Sequence, residues 1–159
     1  MSRHTRTRTN TPQITNRRAR FDYTLGDELT VGMVLTGREV RAARDGHVQL
    51  KGAFVTIRGH ELWLNNASFS LRLNERGKPG ARSISTEPIK LLARRSQISQ
   101  LAASKQQGST IVPLRMIVTG RYLKLVIATG TGKKRHDKRE TLKRRQAERE
   151  SHRAMRQWR

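Results

Sequence analysis

The chain contains no cysteine, which excludes a disulfide framework and any metal site built from thiolates. It has no apolar run near the roughly 18 residues that are needed to cross a membrane. Its first residues, MSRHTRTRTNTPQ, lack the apolar segment of a secretory signal. Together these absences predict a cytoplasmic protein that makes no membrane contact.

Acidic and aromatic residues are scarce. The chain has 12 Asp and Glu against 34 Lys and Arg, a formal charge of +22, and such an excess commonly accompanies a polyanionic partner. Only 4% of the residues are aromatic, so a surface that stacks many bases of a single strand is not expected. A folded RNA that is recognised by its shape and backbone fits this composition better.

The sequence also lacks a catalytic or metal-binding constellation. A two-metal nuclease needs carboxylates clustered around its cations, whereas the acids here are few. The histidines follow neither H-x-x-x-H nor H-E-x-x-H spacing; they are His4, His47, His60, His136 and His152. We therefore predict a protein that is not an enzyme and uses no metal or cofactor. An RNA-modifying or RNA-cleaving enzyme is kept as an alternative.

Charge and hydrophobicity divide the chain into three parts. Residues 1–15 carry only basic charge and no periodicity, which predicts a disordered basic arm. Residues 16–130 hold nearly all the large apolar side chains and are predicted to form one RNA-binding domain. Residues 131–159 form a basic tail, because the segment from Lys133 to Arg159 has 12 Lys and Arg against 4 acids, a net charge of +8.

Short strands dominate the predicted domain. Ala53–Asn66 and Ile111–Ala128 are each predicted to form a hairpin, with turn signals at Arg58-Gly59-His60 and Thr119-Gly120. Pro113 cannot donate a ladder hydrogen bond, so it marks a sheet edge or a bulge. A strand is also predicted at Leu29–Leu35, and Ile84 with Ile89–Leu92 predicts one further strand.

Two segments have helical patterns. Thr36–Arg44 begins with Thr36 and has Glu39 three residues later, which is a capping-box pattern. Ser96–Gly108 places apolar residues on one face and ends at a glycine. Short strands with few helices predict a mainly β fold, a small closed β-barrel with two to three peripheral helices. An open α+β sheet is the alternative.

Four stretches resemble one family, small protein B, the SsrA-binding protein of bacterial trans-translation. They are NRRARFDYTL (16–25), GMVLTGREVRAARDGHVQLKGAFVTI (32–57), KLLARRSQISQL (90–101) and GSTIVPLRMIVTGRYLKLVIATGTGKKRHDKRE (108–140). They occur in order and span most of the chain. The chain departs from the family pattern at Phe21, where a polar residue is usual, and in the stretch 73–86, which lacks an arginine-rich D-P-x-R-x-R segment.

The resemblance implies a fold and a function. Such proteins form an oligonucleotide-binding-like barrel with a basic C-terminal tail, largely disordered in the free protein and helical on the ribosome. They bind the transfer-RNA-like domain of transfer-messenger RNA and accompany it to stalled ribosomes. There the barrel stands in for the anticodon arm, and the tail probes the decoding centre and the empty messenger channel. We expect a monomer. A basic ribosomal protein or assembly factor is the alternative.

The resemblance and the charge pattern also assign site residues. Arg38 and Arg41 recur on one side of a helix, where they can face a phosphate backbone together. The resemblance implies RNA-facing roles for Asn16, Arg17, Arg18, Glu39, Lys124 and the turn Gly132-Lys133-Lys134. In the ribosome-binding tail the predicted residues are His136, Asp137, Lys138, Arg139, Lys143, Arg144 and Arg145.

Several of these residues also have ordinary structural interpretations. Glu39 occupies the acceptor position of a capping box, so it can cap a helix, contact RNA or do both. Lys124 can be a solvent-facing strand lysine. Asp137, with Glu140 three residues later, can begin a helix, and we favour that role for it. His136 can stack on a base or simply lie in the joining segment.

Overall fold

The computed structural model describes residues 14–73, 80–119 and 122–157, which form ten strands and four helices. The strands are β1 (Ile14–Thr15), β2 (Tyr23–Met33), β3 (Val48–Gln49), β4 (Phe54–Arg58), β5 (Glu61–Asn65), β6 (Ser68–Arg72), β7 (Arg82–Ser85), β8 (Ile89–Leu92), β9 (Thr110–Thr119) and β10 (Tyr122–Gly132). The helices are α1 (Ala19–Asp22), α2 (Gly37–Arg44), α3 (Arg95–Gln106) and α4 (Arg135–Gln157).

The strands form two sheets, so the predicted mainly β fold is confirmed. The larger sheet has seven strands in the order β1-β9-β10-β2-β8-β5-β4. Its last strand returns to β9, because Val55 of β4 pairs with Ile111. The smaller sheet has the order β3-β6-β7 and lies next to α2.

Both predicted hairpins are confirmed. In the first, β4 pairs with β5 from Phe54 opposite Asn65 to Arg58 opposite Glu61. Its turn residues Gly59 and His60 have φ values of 52° and 64°, a left-handed conformation that suits a tight hairpin turn. The second hairpin is formed by β9 and β10; of its predicted turn, Thr119 ends β9 and Gly120 lies outside the described residues.

The long strand β10 is buried on both faces. Leu125 and Ile127 belong to the main core, whereas Val126 and Ala128 form a second apolar cluster with Ala19 of α1. Side chains alternate between the two faces of a strand, so the sequence pattern correctly separates these sets. It does not reveal that a short helix covers the outer face.

A bulge occurs in β9 beside Pro113, as the proline signal predicts. Val126 of β10 pairs with Arg115, but the next residue, Ile127, pairs with Pro113. Leu114 is therefore the extra residue, and its carbonyl accepts a hydrogen bond from Asn16 N at 2.7 Å. This bond continues the register of β1 against β9, in which Thr15 lies opposite Arg115, and it fixes the segment that leads into α1.

The strand predicted at Leu29–Leu35 begins earlier, because β2 spans Tyr23–Met33. Its first half contains the exposed run Gly26–Glu28, which hides the strand from a hydrophobic pattern. Pairing with β10 extends it, through contacts such as Leu25 opposite Gly130 and Tyr23 opposite Gly132. The single strand predicted from Ile84 and Ile89–Leu92 is two strands in different sheets: β7 pairs with β6, and β8 pairs with β2 and β5.

The tail contains one continuous helix, α4, over Arg135–Gln157. That the tail is largely disordered in the free protein and helical on the ribosome stays a prediction. The start of this helix is attached to α1, which removes part of the cost of helix nucleation. The strand β10 runs to Gly132, so the domain boundary predicted at residue 130 falls inside a strand.

Candidate nucleic-acid interface

The first cluster of predicted site residues lies at the start of α2, where Glu39 caps the helix. Thr36 donates to Glu39 Oε2 from its backbone N at 2.7 Å and from its hydroxyl at 2.9 Å. Glu39 N donates back to Thr36 Oγ1 at 3.5 Å. The residue is only 8% exposed. The capping role predicted for Glu39 is therefore confirmed, and contact with RNA stays a prediction.

Arg38 and Arg41 are exposed on α2 and line one cavity. The same cavity is lined by Arg72 at the end of β6 and by Arg82 at the start of β7. Sequence reasoning does not assign Arg72 to the site, and it offers Arg82 only as a loose substitute for the arginine-rich segment that the family has in the stretch 73–86. They come into position only because β6 and β7 pair next to α2.

The second cluster surrounds α1, and here Asn16 has a structural role. Its Nδ2 donates to the carbonyl oxygen of Pro113 at 3.0 Å, and its Oδ1 accepts from Ala19 N at 3.2 Å. The side chain therefore connects the β9 bulge to the first turn of α1. These bonds give Asn16 a structural reason to be present, whether or not it also meets RNA.

Arg17 and Arg18 are exposed beside Asn16. Arg18 Nε donates to Asp22 Oδ2 at 3.1 Å, one helical turn later, whereas its side chain stays 61% exposed. The two arginines line a groove together with Lys51. This groove presents cations that solvent, and therefore a phosphate, can reach.

The two clusters are connected along the surface. The groove beside Arg17 shares Gly46, Val48 and Gln49 with a neighbouring depression. That depression in turn shares Ser70 with the cavity lined by Arg38. Arg17 and Arg18, which precede α1, and Arg38 and Arg41 of α2 therefore line one surface groove that is made of these three adjoining depressions.

The turn between β10 and α4 is held against α1. Lys133 N donates to the carbonyl oxygen of Asp22 at 2.9 Å, and Lys133 Nζ donates to that of Arg20 at 3.2 Å. Lys134 N donates to Asp137 Oδ2 at 3.1 Å. Asp137 therefore has the predicted helix-starting role, but it lies in the first turn of a helix that begins at Arg135 rather than at its cap position.

Lys138 joins the tail to the domain. Its Nζ donates to Asp22 Oδ1 at 2.9 Å and lies 6.0 Å from the centre of the Phe21 ring. One face of α4 continues this contact, because the Arg145 guanidinium is also 6.0 Å from that ring. Two cations that the sequence assigns to the ribosome therefore meet Phe21, the position at which the chain departs from its family pattern.

Asp22 receives cations from both sides of this junction. The hydrogen bond from Lys138 lowers the pKa of Asp22 most, and the charges of Lys138 and Arg18 lower it further, against an opposing effect of burial. A carboxylate in this setting stays ionised at neutral pH. It is therefore an acceptor that holds α1 and α4 together.

The remaining predicted residues lie apart from this junction. Lys124 is exposed on β10, opposite Gly32 of β2 and Ile117 of β9. It does not line the cavity beside Arg38 or the groove beside Arg17. Along α4, the exposed predicted residues are Arg139, Lys143 and Arg144. The side chain of His136 lies outside the described part of the structure.

The described ranges offer little for metal chemistry or membrane insertion. Among residues 14–73, 80–119 and 122–157, no group of three or more His, Asp or Glu side chains could hold a metal ion. In the same ranges, no helix combines the length and the apolar character that a membrane crossing requires. The chemistry of this surface is that of exposed guanidinium and ammonium groups beside a groove.

Comparison of the sequence with known protein families identifies the family of this chain. The sequence model of the family described as "SmpB protein" matches residues 13–157. The chain belongs to the SmpB protein family. The match begins just before β1 and ends at the last residue of α4, so it covers both sheets and the tail.

Relatives in the family share about two fifths of their residues with this chain. The SsrA-binding protein of Nostoc sp. (strain PCC 7120 / SAG 25.82 / UTEX 2576) is 42% identical over 147 residues, which cover 90% of this chain and 92% of the relative. That of Gloeothece citriformis (strain PCC 7424) is 40% identical with the same coverage. That of Rhodopseudomonas palustris (strain TIE-1) is 40% identical over 148 residues, 89% of each chain.

A solved structure has the same fold. A chain of the structure described as "tmRNA-SmpB: a journey to the center of the bacterial ribosome" superposes with a TM-score of 0.61 at 30% sequence identity. The superposition covers 83% of this chain and 95% of the other. The sheets and helices described above are therefore those of an SmpB protein.

Proposed function

We propose that this chain binds the transfer-RNA-like domain of transfer-messenger RNA and accompanies it to stalled ribosomes in the cytoplasm. The observation that carries the proposal is the match to proteins called SsrA-binding protein over nine tenths of the chain. The groove between α1 and α2, with exposed arginines along it, supplies a surface for an RNA backbone. The chain performs no covalent chemistry on its RNA.

The domain is proposed to be a closed six-stranded barrel of the oligonucleotide-binding type. The pairings run from β9 through β10, β2, β8, β5 and β4, and β4 pairs with β9 again. A closed barrel leaves no free edge among these strands. It is a rigid body on which α1 and α2 hold their cations, and this body takes the place of an anticodon arm.

The tail is proposed to read the vacant decoding centre and messenger channel. From Arg135 to Arg159 it has ten Lys and Arg against four acids, a net charge of +6. The contacts of α4 with Asp22 and Phe21 are made by Lys138 and Arg145, in the first half of the helix. Beyond these anchors a highly charged helix gains little from packing, so ribosomal RNA supplies the phosphates that order it.

The first experiment compares the full chain with a chain that ends at Lys134. This end point keeps all of β10 and the bond from Lys133 to α1. Both proteins are titrated with an acceptor–elbow fragment of transfer-messenger RNA at near-physiological salt. An ordinary tRNA in excess is the competitor, and the labelled fragment is recovered afterwards to see whether it is intact.

We expect both proteins to bind the fragment in the nanomolar range in the presence of excess tRNA, and the RNA to be unaltered. Only the full chain is expected to support tagging on stalled ribosomes. Equal and salt-sensitive binding to both RNAs would show that net charge alone acts. Stable binding to ribosomal subunits without transfer-messenger RNA would then favour a ribosomal protein or assembly factor, and an altered RNA would favour an enzyme.

A further inference from the structure

Four arginines surround a single carboxylate between α2 and the small sheet. Arg38 and Arg41 of α2, with Arg72 of β6 and Arg82 of β7, line one cavity that also contains Asp45. Arg72 Nη2 lies 3.4 Å from Asp45 Oδ2. One carboxylate cannot balance four guanidinium groups, so the cavity retains a large positive excess.

The guanidinium group of Arg82 gives the second sign that this cavity has more positive charge than its described residues balance. Its Nη1 atom is buried and has no hydrogen-bond partner among the described residues. A guanidinium N–H that is buried without an acceptor costs free energy, and folded proteins rarely leave one unpaired. The position of Nη1 therefore indicates an acceptor that the described residues do not supply.

The β6–β7 ladder reinforces this conclusion. Arg72 and Arg82 lie directly opposite each other, and like charges at opposite positions of a ladder repel. An anion held between the two guanidinium groups converts that repulsion into two attractions. Planar guanidinium groups match the oxygens of a phosphate in paired hydrogen bonds.

We propose that this cavity binds one backbone phosphate of an RNA, with Arg72 and Arg82 as its main ligands and Arg38 and Arg41 at its rim. The surface groove leads from the cavity to Arg17, so an RNA that lies in the groove brings its phosphates to this point. The proposal rests on the proposed RNA-binding function and adds to it Arg72 and Arg82, which sequence reasoning does not place beside α2.

The anion site is tested first without RNA. The full chain and its Arg82→Gln variant are melted in inorganic phosphate and in chloride at equal ionic strength. We expect phosphate to raise the Tm of the native chain by about 3 °C relative to chloride, and to leave that of the variant unchanged. Equal shifts in the two proteins, or no shift in the native chain, would overturn the proposal.

The second test measures binding to RNA. Arg82→Gln is titrated with the transfer-messenger RNA fragment and, separately, with ribosomes. The matched control is Arg58→Gln, because Arg58 is exposed and does not line the cavity, so it loses the same charge elsewhere. We expect Arg82→Gln to weaken binding to one of the two RNAs, the fragment or the ribosomal RNA, about tenfold. The salt slope of that binding should fall by about one.

The RNA that is affected identifies the source of the phosphate, transfer-messenger RNA or ribosomal RNA. If Arg58→Gln weakens binding as much as Arg82→Gln, general charge acts and the phosphate site is absent. If Arg82→Gln does not fold, Arg72→Gln takes its place in both tests. The phosphate melt does not involve RNA, so the anion site can succeed or fail independently of the function proposed above.

Discussion

Asp22 is a residue at which the domain and the tail meet. Its carboxylate accepts from Arg18 on its own helix and from Lys138 at the start of α4. Its backbone oxygen accepts from Lys133. Asp22 thus contacts three basic residues, two through its carboxylate and one through its backbone. This arrangement determines where the tail leaves the domain.

Asp22→Asn is expected to loosen this junction and to change its response to acid. The pKa of Asp22 is lowered in the folded protein, mainly by the hydrogen bond from Lys138. Its stabilising effect is therefore fully present above the unfolded-state pKa of about 3.9 and is lost as the pH falls through the lower folded-state pKa. Near pH 7 we expect the variant to lose about 0.5 kcal/mol of unfolding free energy.

Thermal melts from pH 7 to pH 3 check this expectation. The Tm of the native chain should fall more steeply below pH 4 than that of Asp22→Asn. Arg58→Gln serves as a control, since Arg58 lies outside the junction. Parallel curves for the native chain and Asp22→Asn would show that Asp22 does not contribute to the acid response.

Glu39 can be tested for its two roles with a pair of substitutions. Glutamine also closes a capping box, so Glu39→Gln should keep the Tm close to that of the native chain. Glu39→Ala removes the acceptor of both Thr36 bonds and should lose about 1 kcal/mol of unfolding free energy. We expect Glu39→Gln, which removes only the charge, to weaken binding of the transfer-messenger RNA fragment.

Thermal melts of both variants measure the helix-cap role of Glu39, and titrations with the transfer-messenger RNA fragment measure its role in RNA binding. Thr36→Ala is the control, because it weakens the cap and keeps the carboxylate. Native affinity in Glu39→Gln would leave Glu39 with the helix cap as its entire role.

At the scale of elements, the sequence predicts what is local. The hairpin of β4 and β5 follows from alternating apolar residues around Gly59-His60, and α2 follows from its capping box. These signals lie within about a dozen residues. The contact between Asp22 and Lys138 joins positions 116 residues apart. No pattern along the chain reports such a contact, which is why the attached start of α4 and the arginines beside α2 were not predicted.

A proline in the middle of α4 is expected to separate binding of the transfer-messenger RNA fragment, which the domain performs, from tagging on stalled ribosomes, which needs the tail. Ala147→Pro removes a helix hydrogen bond and costs about 3 kcal/mol of helix stability, beyond the anchors at Lys138 and Arg145. Fragment binding should not change, because the groove lies on the domain. Tagging on stalled ribosomes should fall, since the tail cannot complete its helix.

Ala154→Pro is the matched control, because it affects only the last turns of α4. Circular dichroism and a tagging assay measure both variants. Equal tagging by Ala147→Pro and the native chain would mean that the tail works without a continuous helix.

At the scale of the molecule, the charge of +22 sets the dependence on salt. If about six phosphates are neutralised, binding should weaken about a thousandfold from 50 to 200 mM salt. The chain that ends at Lys134 keeps +16 of this charge, because the removed residues carry +6. We expect its salt slope with the transfer-messenger RNA fragment to match that of the full chain.

Titrations at four salt concentrations measure both slopes. A shallower slope for the shortened chain would place part of the tail on this RNA rather than on the ribosome.

The junction between β10 and α4 consists of only Lys133 and Lys134, and both are bonded to neighbouring residues. A helix of 23 residues that begins at such a fixed point is about 34 Å long. If the tail enters the messenger channel as proposed above, its helix therefore measures the empty length of that channel. We expect the helix to be fully seated only where about 34 Å of the path is empty, and a messenger that fills part of that length to keep the last turns from being seated.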